Sequence, residues 1–265
     1  MAELIPNIQG PKLFPFPGNF ARAQFVKLLS SEVELNSSSE GPHSRVFQVI
    51  LEGKKYAVKI FKFISIDDIR IFAPMQEHRV KDDLVRYQLD PFFAECRAFG
   101  RLVERGKDDK LAVKCYGYVF LSKAVERRLE QQFGIHDWNR QIKDRARPLR
   151  AIVKDYIRHK SFQNRKPFIK MRNNIEELNK MGIYNMDIRK ENYLGGRLFD
   201  FSIAITSPHL SLWTELRTKE QILDDMNSDL KLFDSIVKEV NEEKGRMEKE
   251  RRERRRTRER NAKRR

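Results

Sequence analysis

The sequence predicts an α+β fold, and three observations carry that prediction. Two strand-like runs, residues 45–51 and 55–61, flank a short turn at Gly53 and so make a hairpin. Residues 92, 96, 99 and 102 are apolar and follow Pro91, which puts one face of a helix toward a core. Ile222, Met226, Leu230, Phe233 and Val237 recur at spacings of three and four, the mark of a second amphipathic helix. With 265 residues, 40% of them hydrophobic, the chain is long enough to bury a sizeable core.

The elements follow in order. Pro6, Pro11, Pro15 and Pro17, interspersed with Phe14, Phe16 and Phe20, make residues 1–31 an extended arm rather than a helix, although residues 20–30 suit a short one. A β-rich region spans 32–157, with a strand at 32–36 and a serine-rich turn at 37–44. The hairpin, a mixed charged connection at 65–89 and the helix near 91–104 follow. Strands at 111–121 and 149–157 are separated by a partly helical connector. From 158 to 240 come a helix at 167–180 ending near Gly182, a loop, and a tight Gly195-Gly196 turn before the strand 197–201. The helix at 218–240 closes this region, and Asn227-Ser228 offer a break in it. Residues 241–265 form a basic tail, helical or frayed.

Composition excludes several classes. No apolar run approaches the length of a membrane span, and the amino terminus lacks a basic segment followed by an apolar one, so neither membrane insertion nor a signal peptide is expected. Cys96 and Cys115 are the only cysteines, which excludes a disulfide scaffold and a four-cysteine zinc site and fits an intracellular protein. Of the formal net charge of +16, the tail from 241 to 265 carries +7. Such an excess attracts nucleic acids, acidic proteins and phosphorylated small molecules alike. The tail offers a nuclear address or a contact for nucleic acid or an acidic protein. Its plainer reading is a solvated helix whose glutamates dilute the attraction. The five histidines show no metal-ligand spacing.

Chemistry concentrates in a few polar residues set among apolar ones. Tyr56-Ala57-Val58-Lys59 ends an apolar run on a lysine, which sends a fixed positive charge into a cleft and needs a carboxylate to keep it placed; Glu95 on the helix is the candidate partner. Each alone is equally a snorkelling edge lysine and a solvent-facing glutamate. Asp187 and Asn192 stand five residues apart in a loop, and Asp200 ends the return strand of a hairpin turning at Gly195-Gly196. That hairpin delivers Asn192 and Asp200 to the same end, where two oxygens suit one hard cation.

In this order the residues resemble the protein-kinase-like superfamily. Tyr56-Ala57-Val58-Lys59 is similar to its Val-Ala-Ile-Lys strand, Asp187 with Asn192 to its His-Arg-Asp loop, and Asp200-Phe201-Ser202 to its Asp-Phe-Gly. The resemblance implies a bilobal fold with a small β-rich N-terminal lobe and a reduced helical C-terminal lobe. It implies ATP with Mg²⁺ (or Mn²⁺) as cofactors. Lys59 and Glu95 would place the phosphates, Asn192 and Asp200 the metal, Asp187 would act at the acceptor hydroxyl, and Arg189 would steady the transferring group. In the phosphate loop Gly41 takes the middle glycine position, and Ser39 and Ser44 replace the flanking glycines. Asn185 replaces the loop histidine and Ser202 the metal-loop glycine. The usual Ala-Pro-Glu segment and large helical lobe are missing.

Within the superfamily, Phe93-Ala94-Glu95-Cys96-Arg97, Asp187-Ile188-Arg189 and Asn192-Tyr193-Leu194-Gly195-Gly196 resemble a fungal group labelled as a kinetochore Sim4 complex subunit. Three functions compete. One is an ATP- and Mg-dependent phosphotransferase of unknown acceptor. Another is a catalytically inactive, pseudokinase-like scaffold, nuclear or kinetochore-associated. The third is a basic nucleic-acid binder. The location expected is the nucleus or cytoplasm, with the basic tail favouring the nucleus.

Overall fold

The computed structural model describes residues 9–30, 43–72, 80–158 and 168–262. Strands β1 (Gln24–Leu28), β2 (Ser44–Leu51), β3 (Lys54–Phe61), β4 (Cys115–Leu121) and β5 (Leu149–Asp155) form one antiparallel sheet in the order β1-β2-β3-β5-β4. Leu51 pairs with Lys54, so Glu52-Gly53 make a two-residue turn. Both have positive φ, the conformation whose twist matches the flanking strands.

Residues 20–30 hold no α-helix. One 3-10 turn, Phe20–Arg22, is capped by Asn19, whose side-chain oxygen accepts from the Ala21 N–H, and β1 follows directly. The open edge of β2 supplies hydrogen bonds that a short isolated helix could not match, and Phe25 packs edge-on against Phe47. Helix α4 (Lys123–Phe133), within the connector between β4 and β5, completes this end. Arg128 donates to the Phe20 and Ala23 carbonyls, and Gln132 to that of Phe25. The predicted strand at 32–36 lies outside the described residues.

On the other edge, residues 14–16 run beside β4. Phe16 N–H donates to Tyr118 O at 2.7 Å, and Tyr118 N–H to Phe14 O at 3.1 Å. Gly117 permits this approach: a Cβ there would lie 2.6 Å from Phe14 O. The strand predicted from 111 begins only at Cys115. Val113 N–H turns away to Leu198 O, and Ala112 bridges Leu198.

Three helices, α1 (Ile66–Phe72), α2 (Asp82–Leu89) and α3 (Pro91–Glu104), lead from β3 to β4. Asp90 caps α3 through the Phe92 N–H at 2.9 Å, and its other oxygen accepts from Arg150 at 2.8 Å. Helix α3 is buried on nearly every side, Glu95 and Arg97 included, where the sequence predicted a single apolar face. It sits between the sheet and a core that contains Phe99, Leu102, Ile175, Leu178, Phe201 and Phe233. A second core fills the opposite face of the sheet, against α4 and Trp138.

After β5 come α5 (Phe168–Lys180) and four two-residue strands, β6 (Ile183–Tyr184), β7 (Tyr193–Leu194), β8 (Arg197–Leu198) and β9 (Ile205–Thr206). Strand β6 pairs with β9, and β7 with β8 around Gly195-Gly196. The last helix, α6 (Lys219–Ala262), is unbroken at 227–228. Asn227 donates to Leu223 O and Ser228 to Asp225 O, so their side chains bond back along the helix instead of ending it. Its inward face carries Ile222, Asp229, Phe233, Ile236 and Val240; the described side chains from 241 onward are exposed. Among the described residues no helix is long and apolar enough to cross a membrane.

Candidate functional site

Lys59 lies opposite Val46 of β2 and Ile152 of β5. Strand alternation sends it to the α3 side, away from Val58 and Ile60, which fill the other core. Glu95 shares a face of α3 with Phe92, Phe99 and Leu102, so the packing of those side chains drives it against the sheet. The two meet: Lys59 Nζ lies 2.7 Å from Glu95 Oε2 and 2.7 Å from Asp200 Oδ1, with Lys59 only 3% exposed.

Asp200 reaches this point because its surroundings fix it closely. Phe201 is buried and packs its ring 5.2 Å from that of Phe99. Ser202 N–H donates to Asp200 Oδ1 at 2.9 Å, and Asn185 Nδ2 to the Asp200 carbonyl at 2.6 Å. The Phe199 N–H donates to Asn192 O at 3.2 Å, so the β7–β8 hairpin ties the two predicted oxygen donors to each other.

A second cluster centres on Asp187. Asn192 Nδ2 donates to both the carbonyl and Oδ2 of Asp187, at 2.8 Å each, and Arg189 Nη2 is 3.2 Å from the same Oδ2. Asn185 joins the clusters, because its Oδ1 accepts from the Asp187 N–H at 3.1 Å while its amide nitrogen holds Asp200. Ser44 opens β2 opposite Phe61, two positions beyond the Lys59 pairing. Ser39 and Gly41 lie outside the described residues.

Two residues that sequence reasoning did not single out complete the site. Lys154 donates to Glu95 Oε1 at 2.6 Å and to Phe199 O at 2.7 Å. It pairs with Ala57, two positions from the Lys59–Ile152 pair, so both lysines stand on one face of the sheet. A signal was available: Ile152-Val153-Lys154 repeats the pattern of Ala57-Val58-Lys59, an apolar run ending on a lysine. Asp229 of α6 accepts from Asn185 N–H at 2.6 Å and Met186 N–H at 2.8 Å. These bonds hold the loop where Met186 takes a φ of 66°. Its signal was a carboxylate in step with Ile222, Phe233 and Ile236 on the apolar stripe.

The electrostatics follow from burial and pairing. Two lysines face two carboxylates, so Lys59, Lys154, Glu95 and Asp200 sum to zero charge. Burial works against the charge on Lys59, but Asp200 and then Glu95 outweigh it and raise its pKa. Burial also opposes ionisation of Asp200, yet Lys59 and Lys154, with the bonds from Lys59 and Ser202, hold its carboxyl well below the usual carboxylate range. Among the described residues no cation of that kind acts on Asp229. Burial pushes its pKa up to about 6 against the pull of its two N–H donors. His43 also feels this field: burial first, then Lys59, lowers its pKa, with Asp200 opposing.

Among the described residues no group of three or more His, Cys, Asp or Glu side chains could hold a metal ion alone. The donors at hand are the Asp200 carboxylate and the Asn192 amide oxygen, whose nitrogen is turned to Asp187. This set fits a hard cation that takes its remaining ligands from water and phosphate.

The family model described as Kinetochore Sim4 complex subunit FTA2 matches residues 2–205. The chain belongs to this family. The match takes in Lys59, Glu95, Lys154, Asp187, Asn192 and Asp200, and ends before Asp229 and the rest of α6. No curated protein matches the chain.

Proposed function

We infer that this member of the FTA2 family is a kinetochore-associated subunit built around a protein-kinase-like nucleotide site. The observation that carries the nucleotide reading is the contact of one buried ammonium, Lys59 Nζ, with both Glu95 and Asp200 at 2.7 Å. A lysine fixed between a helix glutamate and a loop aspartate is the arrangement by which kinases place phosphates beside a metal-binding carboxylate. The five-stranded sheet, the buried helix packed on it and the short hairpin behind Asp200 agree with that reading. Lys59 would take the phosphates, with Asn192 and Asp200 holding Mg²⁺ or Mn²⁺, which supplies charge neutralisation when bound. On this reading Asp187 would act at an acceptor hydroxyl and Arg189 would steady the transferring phosphoryl group.

The test is a thermal-shift titration with ATP and Mg²⁺ on the full chain, alongside the Lys59→Met variant. Stabilisation of the parent protein and its loss in the variant support the site. Equal response, or none in either, removes it. Radiolabelled phosphoryl transfer compared with Asp187→Ala then decides between an enzyme and an inactive scaffold.

The scaffold reading has its own support. The family description places its members in a complex, and Asp187 Oδ2 is already engaged by both Asn192 and Arg189. On this reading the protein is nuclear and works through protein partners. The outer part of α6 is then the surface offered to nucleic acid or an acidic protein. Truncation after Val240 should abolish such binding, which should also weaken steeply with salt.

A further inference from the structure

The geometry points to Lys154 as the permanent partner of Glu95, which leaves Lys59 as the exchangeable cation, so that a phosphate chain and a divalent cation each bind more tightly when the other is present. This rests on the nucleotide reading of the same cleft and assigns a positioning role to a residue that reading does not use.

The division of oxygens carries the inference. Glu95 is wholly buried, and its two oxygens go to different lysines, Oε2 to Lys59 and Oε1 to Lys154. Were Lys59 its only partner, drawing Lys59 toward an incoming phosphate would strand a buried carboxylate, a strongly unfavourable state. Lys154 prevents that, and its second bond, to Phe199 O, pins the backbone just before Asp200.

Asp200 is placed differently. It is 21% exposed, the most open member of the quartet, and the two hydrogen bonds to its carboxylate described above converge on Oδ1, from Lys59 and the Ser202 N–H. When Lys59 is engaged by an anion, Asp200 loses its main counter-charge. A divalent cation beside Asp200 restores the balance. Anion without cation leaves Asp200 uncompensated, and cation without anion meets Lys59. Helix α3, meanwhile, stays fixed through Glu95 and Lys154 whether or not anything is bound.

The test compares Lys59→Met with Lys154→Met in the full chain, first without nucleotide. Melting temperature should fall at least twice as far in Lys154→Met. Binding of Mn²⁺ alone, followed by electron paramagnetic resonance, should tighten about tenfold in Lys154→Met, because the site gains one net negative charge. A purely structural role would not move that second readout. An equal or larger melting loss in Lys59→Met, or unchanged Mn²⁺ binding in Lys154→Met, overturns the assignment.

Should Lys154→Met fail to fold, the neutral pair Glu95→Gln with Lys154→Met is expected to fold and to bind Mn²⁺ as the parent does. Failure of that pair to recover stability also overturns it. With a fluorescent ATP analogue, the parent protein should bind about tenfold tighter in Mg²⁺ than in chelator. Tight binding that ignores Mg²⁺ overturns the coupling. Absence of any nucleotide binding removes the nucleotide reading, while the melting order still judges Lys154.

Discussion

Asp200 and Asp187 lie close in sequence but are held by different physics. Asp200 belongs to a largely buried network in which each carboxylate faces a lysine, and its position is set by the sheet, by α3 and by the Phe99–Phe201 contact. Asp187 is 32% exposed, its cationic neighbour Arg189 is 58% exposed, and its loop is hung from Asp229 by two backbone N–H bonds. The first place is rigid because breaking it uncovers buried charge. The second hangs from buried hydrogen bonds to Asp229 but carries its charge pair, Asp187 with Arg189, open to solvent, so that pair can rearrange at small cost.

This contrast is sharpest at Glu95. Glu95→Ala leaves two buried ammonium groups with one carboxylate between them and should cost about 3–5 kcal/mol in urea unfolding. A loss under about 1 kcal/mol would show that the lysines are satisfied without it. Asp200→Asn comes next, at about 1–3 kcal/mol at neutral pH. Because the folded pKa of Asp200 lies below its ordinary 3.8, its contribution is fully present above that value and is lost as pH falls further. The variant's stability should therefore decline less than the parent's below pH 3.8. Parallel acid limbs would place the charge pairing elsewhere.

Asp229 tests the other region, with the opposite sign. Its folded pKa of about 6 lies above the ordinary 3.8, so its contribution is greatest below the lower value and shrinks as pH rises through the higher one. Asp229→Asn forfeits one acceptor bond to the loop but no longer buries a charge. These effects are each on the order of 2 kcal/mol and nearly cancel in global stability at pH 7. The local effect does not cancel: amide exchange at Met186 should speed about tenfold. Protection unchanged from the parent would separate Asp229 from the loop. The smallest effect belongs to Arg189→Ala, under about 1 kcal/mol, since this ion pair is open to solvent. A loss as large as that of Glu95→Ala would abolish the distinction between the two regions.

The sequence was most legible where one local rule decided the outcome. The hairpin around Glu52-Gly53 and the capped start of α3 follow from turn chemistry and a proline in place. The meeting of Lys59, Glu95 and Asp200 was anticipated through the order the three share with the kinase-like pattern; taken singly, each reads as an ordinary polar residue on its own element. What stayed hidden depended on pairing across the fold. Residues 20–30 read equally well as helix until β2 offers an edge, and Lys154 gains meaning only when register sets it diagonally from Lys59. Asp229 looked like one more acid on a charged helix. Asn227-Ser228 suggested a break because local propensity does not report that both side chains can bond back to their own helix.

Helix α6 has a mechanical consequence. One uninterrupted rod carries Asp229, which suspends the Asp187 loop, and Glu239 and Glu243, which reach Lys190 at 3.3 and 3.6 Å. It then projects about 33 Å past Val240 at the usual helical rise. A grip on the far end thus acts as a lever whose short arm is the Asp187 loop. Torque applied by anything that seizes its outer turns is delivered to residues 185–190 before it reaches the sheet.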